Sequence, residues 1–149
     1  MGSKAEDPEG TKFCGDSRLI SNILPEDFIG GAFQSVYEEL SWSEMLLKGS
    51  LVPRLISVQG DLTDDFIEPI YRHPADAQPE LILWTPTVRK IRDILSEKME
   101  VNLNHALIQL YRSGQDNISE HCDKTLDITH GTSIYTVSLG AKRNLILRS

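Results

Sequence analysis

The 149-residue sequence lacks several features that mark particular classes of protein, and each absence excludes one of those classes. It has two cysteines, Cys14 and Cys122, and no C-x-x-C pair, which excludes a disulfide framework and a zinc site of that type. No apolar run is long enough to span a membrane, and the opening MGSKAEDPEG lacks the apolar segment of a secretory signal. We therefore expect a nuclear or cytoplasmic protein without a membrane partner.

The sequence also lacks a surplus of positive charge, since its net charge is -7. An acidic chain repels phosphate, so binding to nucleic acid would need a local basic face. The late basic residues Lys142, Arg143 and Arg148 are explained equally well as a solvated strand face. This charge argues against broad, non-specific coating of nucleic acid.

The chain divides by composition into a polar start and a longer folded part. Residues 1–17 carry no apolar periodicity and predict a flexible tail, and residues 18–149 predict one globular domain. In that domain, LPEDFIGGAFQSVYEELSW predicts a helix that begins near Pro25. Its inward face is predicted to hold Phe33, Val36, Tyr37 and Leu40.

A second helix is predicted in WTPTVRKIRDILSEKME. Thr85 is in the position of an N-cap, and Pro86 occupies the first helical position, where its fixed φ is favourable. The inward stripe of this helix is predicted to hold Val88, Ile91, Leu95 and Met99.

Strand character appears once before this helix and repeatedly after it. LVPRLISVQGD predicts a strand that ends at Gly60 and Asp61, and the prolines of YRHPADAQPE predict an irregular segment. After Met99, four short segments have strand character: LNHALIQLY, NISEHCD, SIYTVSLGA and RNLILRS. With helices first and strands last, the order predicts an α+β fold in which helices support a sheet or a β-sandwich.

The stretch NISEHCDKTLDI contains a histidine and an aspartate two residues apart, His121 and Asp123. In an extended segment these two side chains share one face. An imidazole nitrogen and a carboxylate oxygen, joined by a second histidine, form the facial triad of non-haem Fe(II) oxygenases. By itself the triplet is better explained as a solvated loop, because such pairs occur by chance.

The surroundings of the triplet add further features. They are the strand that ends in Tyr111, the turn with Gly114 and Asp116, Ile118, the His121-x-Asp123 pair, Ile134, and SLGAKR from Ser138 to Arg143. Together they resemble the AlkB-like branch of the Fe(II)/2-oxoglutarate-dependent dioxygenases, as do VPRLISVQGD and LILWTPTVRKIRDIL upstream. The resemblance runs from about Leu19 to the last residue and is densest after Asn104.

The resemblance implies a fold, an activity and a set of site residues. The fold is a double-stranded β-helix, or jelly roll, with supporting N-terminal helices. The activity is oxidative demethylation of alkylated nucleic-acid bases in DNA repair, with Fe(II), 2-oxoglutarate and O2. His121 and Asp123 match two iron ligands, and Tyr111 matches a residue that hydrogen-bonds 2-oxoglutarate. Gln109 stands where the family usually has asparagine, so its contact with 2-oxoglutarate is the less secure assignment.

The sequence departs from the family pattern after Asp123. The pattern needs a second histidine ligand and later arginines that bind 2-oxoglutarate, but the remaining residues contain one histidine, His130, in the turn-like DITHGTS. Arg143 and Arg148 come too early to match those arginines. We therefore expect a domain that is incomplete at its C-terminus, without a third ligand, and with little or no turnover alone. A partner chain or a further segment is expected to complete it.

Three other interpretations remain open from the sequence. In the first, the substrate is a protein or a small molecule, because no concentrated basic and aromatic patch is visible. In the second, the chain is a non-catalytic binding or regulatory module on a degenerate dioxygenase scaffold, which Gln109 and the missing ligands favour. In the third, the chain is a simple α+β interaction domain, which would require the whole set of matching residues to be chance.

Overall fold

A computed structural model of the protein describes residues 11–12, 15–62, 64–65 and 67–148. In these residues the helices are α1 (Glu26–Glu39) and α2 (Pro86–Lys98). The strands are β1 (Thr11–Lys12), β2 (Arg18–Leu19), β3 (Leu46–Leu47), β4 (Ser50–Leu51), β5 (Leu55–Gly60), β6 (Leu81–Leu83) and β7 (His105–Leu110). No helix in the described part of the chain is long and apolar enough to cross a membrane.

The chain forms two compact units. The described parts of residues 1–38, 87–102 and 137–149 make one unit, which contains β1, β2 and nearly all of both helices. Residues 39–86 and 103–136 make the other, which contains β3 to β7. Every candidate site residue from the sequence lies in this second unit.

The first helix begins where the sequence predicts, because the Pro25 carbonyl accepts hydrogen bonds from the N–H groups of Phe28 and Ile29. Its buried residues are Ala32 and Val36, which lie one helical turn apart. The prediction that Phe33 and Tyr37 face inward is wrong. Their side chains are 43% and 48% exposed.

Phe33 and Tyr37 instead form the neighbouring row of α1. Their rings stack on each other with centroids 6.4 Å apart. The Phe33 ring also lies against Gly140, where a Cβ atom would come within 2.7 Å of Phe33 Cδ2. The aromatic pair therefore covers backbone at the surface of the unit rather than filling its core.

The second helix agrees closely with its prediction. It begins at Pro86, and Val88, Ile91 and Leu95 are buried at helical spacing. Met99 lies just beyond the helix and is half-buried. Thr85 precedes the first turn as predicted, but its N–H donates to Gln59 Oε1 and its hydroxyl accepts from Gln59 Nε2.

The main sheet of the second unit has the strand order β6-β5-β7. The central strand β5 pairs in parallel with β6, where Val58 lies opposite Leu81, and antiparallel with β7, where Leu55 lies opposite Leu110. β5 has a paired strand along each edge, its residues from Ile56 to Gly60 are buried, and Gln59 is fully buried. The sheet therefore holds β7, and with it Gln109, in a fixed register.

A short hairpin, β3–β4, precedes the main sheet. Its turn residues Lys48 and Gly49 have positive φ angles of 52° and 75°, as the tight turns of hairpins require. Both turn N–H groups donate to the carboxylate of Asp76, at 2.7 Å and 2.8 Å. This contact ties the hairpin to the proline-rich segment, which is irregular as predicted.

The prediction of strands after β7 is wrong, because residues 111–148 contain no strand. β-propensity describes a side chain on a paired, half-buried strand, and these segments have no strand pairing. In the last of them, Leu145 and Ile146 are also 65% and 72% exposed. The predicted order of helices before strands is also wrong, since strands precede, separate and follow the helices. The coarse α+β composition is confirmed, and the jelly roll stays a prediction.

The predicted flexible tail, residues 1–17, lies mostly outside the described residues. Within it, Thr11–Lys12 form β1, which pairs antiparallel with Arg18–Leu19 of β2. The single domain over residues 18–149 also stays a prediction.

Candidate metal and cosubstrate site

His121 and Asp123 lie close together on the irregular segment that follows β7. Their Nε2 and Oδ1 atoms are 3.4 Å apart, and the side chains are 47% and 54% exposed. The other ring nitrogen of His121, Nδ1, is 2.7 Å from the carbonyl oxygen of Ser119. A carbonyl can only accept, so Nδ1 donates the hydrogen bond to Ser119 O, and Nε2 is the ring nitrogen that faces Asp123.

This donor set fits one side of a ferrous site. Fe(II) takes imidazole nitrogen and carboxylate oxygen, and a ligand histidine commonly donates its second ring N–H to a backbone carbonyl. Within the described ranges, no third His, Cys, Asp or Glu joins the pair in a metal-binding group. His130 is exposed in a turn that Thr132 closes through hydrogen bonds to Thr129 O. Cys122, between the two donors, is an exposed free thiol.

The loop that leads to His121 is fixed at two points. Arg112 and Asp116 close it on itself, with Arg112 Nε donating to Asp116 Oδ2 at 2.7 Å, and Asp116 is buried. One residue further, the N–H of Asn117 donates to Pro53 O at 2.9 Å. The metal-donor segment therefore starts from an anchored position beside the beginning of β5.

Gln109 and Tyr111 are presented by β7 and its first following residue. Their i, i+2 spacing places them on one face of an extended chain, and both are half-buried. Gln109 Oε1 accepts a hydrogen bond of 2.5 Å from Nε of Arg54, a buried residue immediately before β5. Burial lowers the pKa of the Arg54 guanidinium, and the nearby Tyr111 acts in the opposite direction.

An aromatic cluster of Tyr71, His73 and His105 lies in the same unit. The ring centroids are 4.8 Å apart for Tyr71 and His73, 5.1 Å for Tyr71 and His105, and 5.5 Å for the two histidines. His73 is buried, and neither of its ring nitrogens has a hydrogen-bond partner among the described residues. A buried imidazole without a hydrogen-bond partner is costly, so His73 stands out among the buried polar residues that the structure describes.

The electrostatics of the cluster connect it to the metal donors. Burial, and then the neighbouring His73, lower the pKa of His105 to about 4, and burial also lowers the pKa of His73. Both rings are therefore neutral at neutral pH. Burial raises the pKa of Tyr71, and the carboxylates of Asp123 and Asp127 raise it further. The negative charge of Asp123 thus reaches Tyr71, which is one member of the aromatic cluster.

An ion pair ties the cluster to the loop after Asp123. The guanidinium of Arg72 forms a salt bridge with Asp127, and the backbone N–H of Arg72 donates to Asp127 Oδ2 at 2.9 Å. These hydrogen bonds lower the pKa of Asp127 to about 2. The segment of Tyr71 to His73 and the loop of Asp127 therefore hold each other in place.

Comparison with known proteins identifies the class that this geometry suggests. The model of the 2OG-Fe(II) oxygenase superfamily matches residues 16–149, so the chain belongs to that superfamily. The chain is also similar to the DNA oxidative demethylase ALKBH2 of Bos taurus and of Homo sapiens, each 37% identical over 65 residues. The protein of the same name from Mus musculus is 35% identical over 65 residues.

These alignments cover 44% of this chain but only 23%, 25% and 27% of the bovine, human and murine relatives. The chain therefore matches about a quarter of the length of each relative. The resemblance to AlkB-like oxygenases found in the sequence is confirmed. The roles of His121, Asp123, Tyr111 and Gln109 stay predictions.

Sequence reasoning missed three residues of this region: Arg54, Tyr71 and His73. Arg54 lies within VPRLISVQGD, and the strand pattern of this segment does not indicate that its charge is buried. The Tyr71-x-His73 spacing was a usable signal, because two aromatic side chains two residues apart share one side of an extended segment.

Proposed function

We propose that the chain acts as an Fe(II)/2-oxoglutarate-dependent dioxygenase of the AlkB type that demethylates alkylated nucleic-acid bases oxidatively. The observation that carries this proposal is the 3.4 Å approach of His121 Nε2 and Asp123 Oδ1, with Nδ1 held by Ser119 O. Membership in the 2OG-Fe(II) oxygenase superfamily supports ferrous iron and 2-oxoglutarate as the bound groups.

Each site residue has a defined task in this proposal. His121 and Asp123 hold the metal, and the Ser119 carbonyl fixes the His121 tautomer. Gln109 and Tyr111 donate hydrogen bonds to 2-oxoglutarate from one face of the extended chain. When bound, Fe(II), 2-oxoglutarate and O2 supply the oxidation of the N-methyl group, whose carbon leaves as formaldehyde.

The proposed substrate is an alkylated base in DNA. The similarity of the chain to DNA oxidative demethylases supports DNA as the substrate polymer. The cluster of Tyr71, His73 and His105 supports a flat heteroaromatic group, since enzymes that act on bases hold them by ring stacking and hydrogen bonds. The His73 imidazole, whose nitrogens have no partner among the described residues, would supply such hydrogen bonds. A nuclear or cytoplasmic location is part of the same proposal.

The proposed fold of residues 18–149 is the jelly roll of the superfamily. The antiparallel pairing of β5 with β7 supports this fold. The exposed apolar side chains of Leu145, Ile146 and Leu147 support the view that this segment becomes a strand when it meets a pairing partner.

The test of the function is release of formaldehyde from an N-methylated DNA oligonucleotide in the presence of Fe(II), 2-oxoglutarate and O2. We expect release by the wild-type chain above that of an Asp123→Ala variant, and unchanged release by Cys122→Ser. The unmethylated oligonucleotide is the substrate control. Equal release by wild type and Asp123→Ala would contradict the proposal.

A second candidate is a non-catalytic module that binds methylated bases. It is favoured by the finding that only two candidate donors, His121 and Asp123, converge within the described ranges. This function predicts tight binding of the methylated oligonucleotide without metal and without formaldehyde release. Binding that requires Mn(II) and 2-oxoglutarate would exclude it.

A further inference from the structure

Arg54 is a buried cation without a counter-charge in the described structure. Its residue exposure is 8%. Its Nε donates to Gln109 Oε1 at 2.5 Å, and its Nη1 donates to Asn117 O at 3.4 Å. No carboxylate among the described residues forms an ion pair with it. A buried charge is costly unless an opposite charge is close, so this position is suited to an anion.

The position of Arg54 follows from the register of the sheet. Leu55 lies opposite Leu110, so continuing the antiparallel register by one residue sets Arg54 opposite Tyr111. Gln109 is then the diagonal neighbour of Arg54, which explains their hydrogen bond. Arg54 therefore lies beside both residues that are proposed to bind 2-oxoglutarate.

The hydrogen bond from Arg54 determines which way the Gln109 amide faces. A guanidinium has only donors, so it must meet the amide oxygen and not the amide nitrogen. With Oε1 held by Arg54, the Nε2 donor of Gln109 is directed away from it. No other hydrogen bond joins the Gln109 amide to the described part of the chain. An amide N–H donor that has no acceptor among the described residues therefore lies beside a positive charge that has no carboxylate partner there.

We propose that Arg54 is the positioning residue of the 2-oxoglutarate site: it orients the Gln109 amide so that Nε2 donates to a carboxylate, which its own charge attracts. This inference rests on the proposed function, because it takes 2-oxoglutarate as the anion. It also accounts for the glutamine at this position, since the buried guanidinium fixes the longer and more flexible side chain.

The alternative is that Arg54 has only a structural role and joins the start of β5 to Gln109 of β7 and to the loop of Asn117. The two roles make opposite predictions for Gln109→Glu. The new carboxylate would form an ion pair with Arg54, which keeps the link between β5 and β7 and satisfies the buried charge. It would also remove the amide donor and repel the cosubstrate carboxylate. Folding should survive this substitution while binding of 2-oxoglutarate is lost.

The experiment is anaerobic calorimetric titration of 2-oxoglutarate into the Mn(II)-loaded full chain, with thermal unfolding measured in parallel. We expect Gln109→Glu and Arg54→Gln to weaken 2-oxoglutarate binding by about 10- to 100-fold, which is the value of a charge-assisted hydrogen bond. Their affinity for Mn(II) alone should stay within about twofold of wild type. Arg89→Gln removes the same charge from an exposed position of α2 and should change neither affinity.

Three outcomes would overturn the inference. One is Gln109→Glu that folds normally and binds 2-oxoglutarate as tightly as wild type. Another is Arg54→Gln that loses Mn(II) affinity, thermal stability and 2-oxoglutarate affinity together, as a structural link would. The third is wild-type chain that binds Mn(II) at His121 and Asp123 but not 2-oxoglutarate. Failure of the wild-type chain to bind Mn(II) would instead overturn the proposed function, and the inference with it.

Discussion

The two halves of the proposed site are built in different ways. The cosubstrate half, Gln109 with Arg54, lies along paired strands and is held by a hydrogen bond between residues far apart in sequence. The metal half, His121 with Asp123, lies on a segment without strand pairing, and both side chains are about half exposed. The nearest fixed contact of His121 is local, to Ser119 O.

Because of this difference, we expect ligand binding and folding stability to be coupled in the cosubstrate half but not in the metal half. Residues of the sheet contribute to folding as well as to the geometry of the cosubstrate half. Residues of the exposed metal half contribute little to folding, since substitutions at exposed positions rarely change stability. Substitutions in the two halves should therefore separate stability from metal binding.

The largest effect is expected from Asp123→Asn in the metal half. Loss of the charged ligand should weaken Mn(II) binding by more than about 100-fold, since even outer contacts of metal ligands are worth about 10- to 100-fold. Because Asp123 is exposed, stability should change by less than about 0.5 kcal/mol. Mn(II) titration followed by electron paramagnetic resonance measures the first effect, and urea unfolding the second.

Cys122→Ser is the matched control for Asp123→Asn, because it changes the neighbouring exposed side chain without changing the donor pair. It should bind Mn(II) like wild type. Strong Mn(II) binding by Asp123→Asn, or loss of binding in Cys122→Ser, would show that the donors have been wrongly assigned.

The next largest effect is expected from Gly60→Ala in the sheet. The added Cβ would lie 2.8 Å from Asn104 O and 2.9 Å from Leu81 Cδ1, so strands must shift. Such overpacking costs about 1–3 kcal/mol, which urea unfolding measures. Gly114→Ala, where no atom lies within 4 Å of the new Cβ, should be nearly neutral. Equal effects at the two glycines would refute the difference between sheet and loop.

A smaller effect is expected from acid, through His105 at the start of β7. Its pKa is lowered from 6.5 to about 4 in the folded chain. Between these pH values the unfolded chain therefore binds a proton at His105 and the folded chain does not. The contribution of His105 is present above pH 6.5 and is lost as the pH falls toward 4. Because the ring is partly exposed, we expect a loss on the order of 1 kcal/mol.

Urea unfolding of wild type and His105→Gln at pH 7 and pH 4.5 measures this contribution. The wild-type chain should lose more stability than the variant over that interval. Identical losses would show that His105 is protonated as readily in the folded chain as in the unfolded one.

The smallest effect is expected from His73→Phe. The orphaned imidazole is replaced by an apolar ring of similar shape, which removes two unpaired polar atoms from a buried position. Such a change is nearly neutral or stabilising, here by up to about 1 kcal/mol. Thermal unfolding measures it. A loss of stability greater than about 1 kcal/mol would mean that the His73 ring has a partner in the folded protein.

The sequence predicts well what depends on neighbouring residues. The start of α2 follows from Thr85 and Pro86, and the end of β5 from Gly60. The approach of His121 and Asp123 follows from their two-residue spacing. In each case a short pattern contains the physical cause.

What the sequence does not predict depends on contacts between distant segments. The Arg54–Gln109 hydrogen bond spans 55 residues, and nothing near Arg54 in the sequence indicates it. The contact of the Phe33 ring with Gly140 joins residues that are far apart in the sequence. The segments after β7 have strand propensity, but a strand also needs a neighbour, which the pattern of residues alone does not supply.

We propose that His121 and Asp123 bind a ferrous ion that 2-oxoglutarate helps to hold. The most direct measurement is anaerobic calorimetric titration of Mn(II), with and without 2-oxoglutarate, into wild type and His121→Ala. We predict binding that strengthens with 2-oxoglutarate and disappears in the variant. Binding that is absent, or that is unchanged by His121→Ala, would contradict the claim.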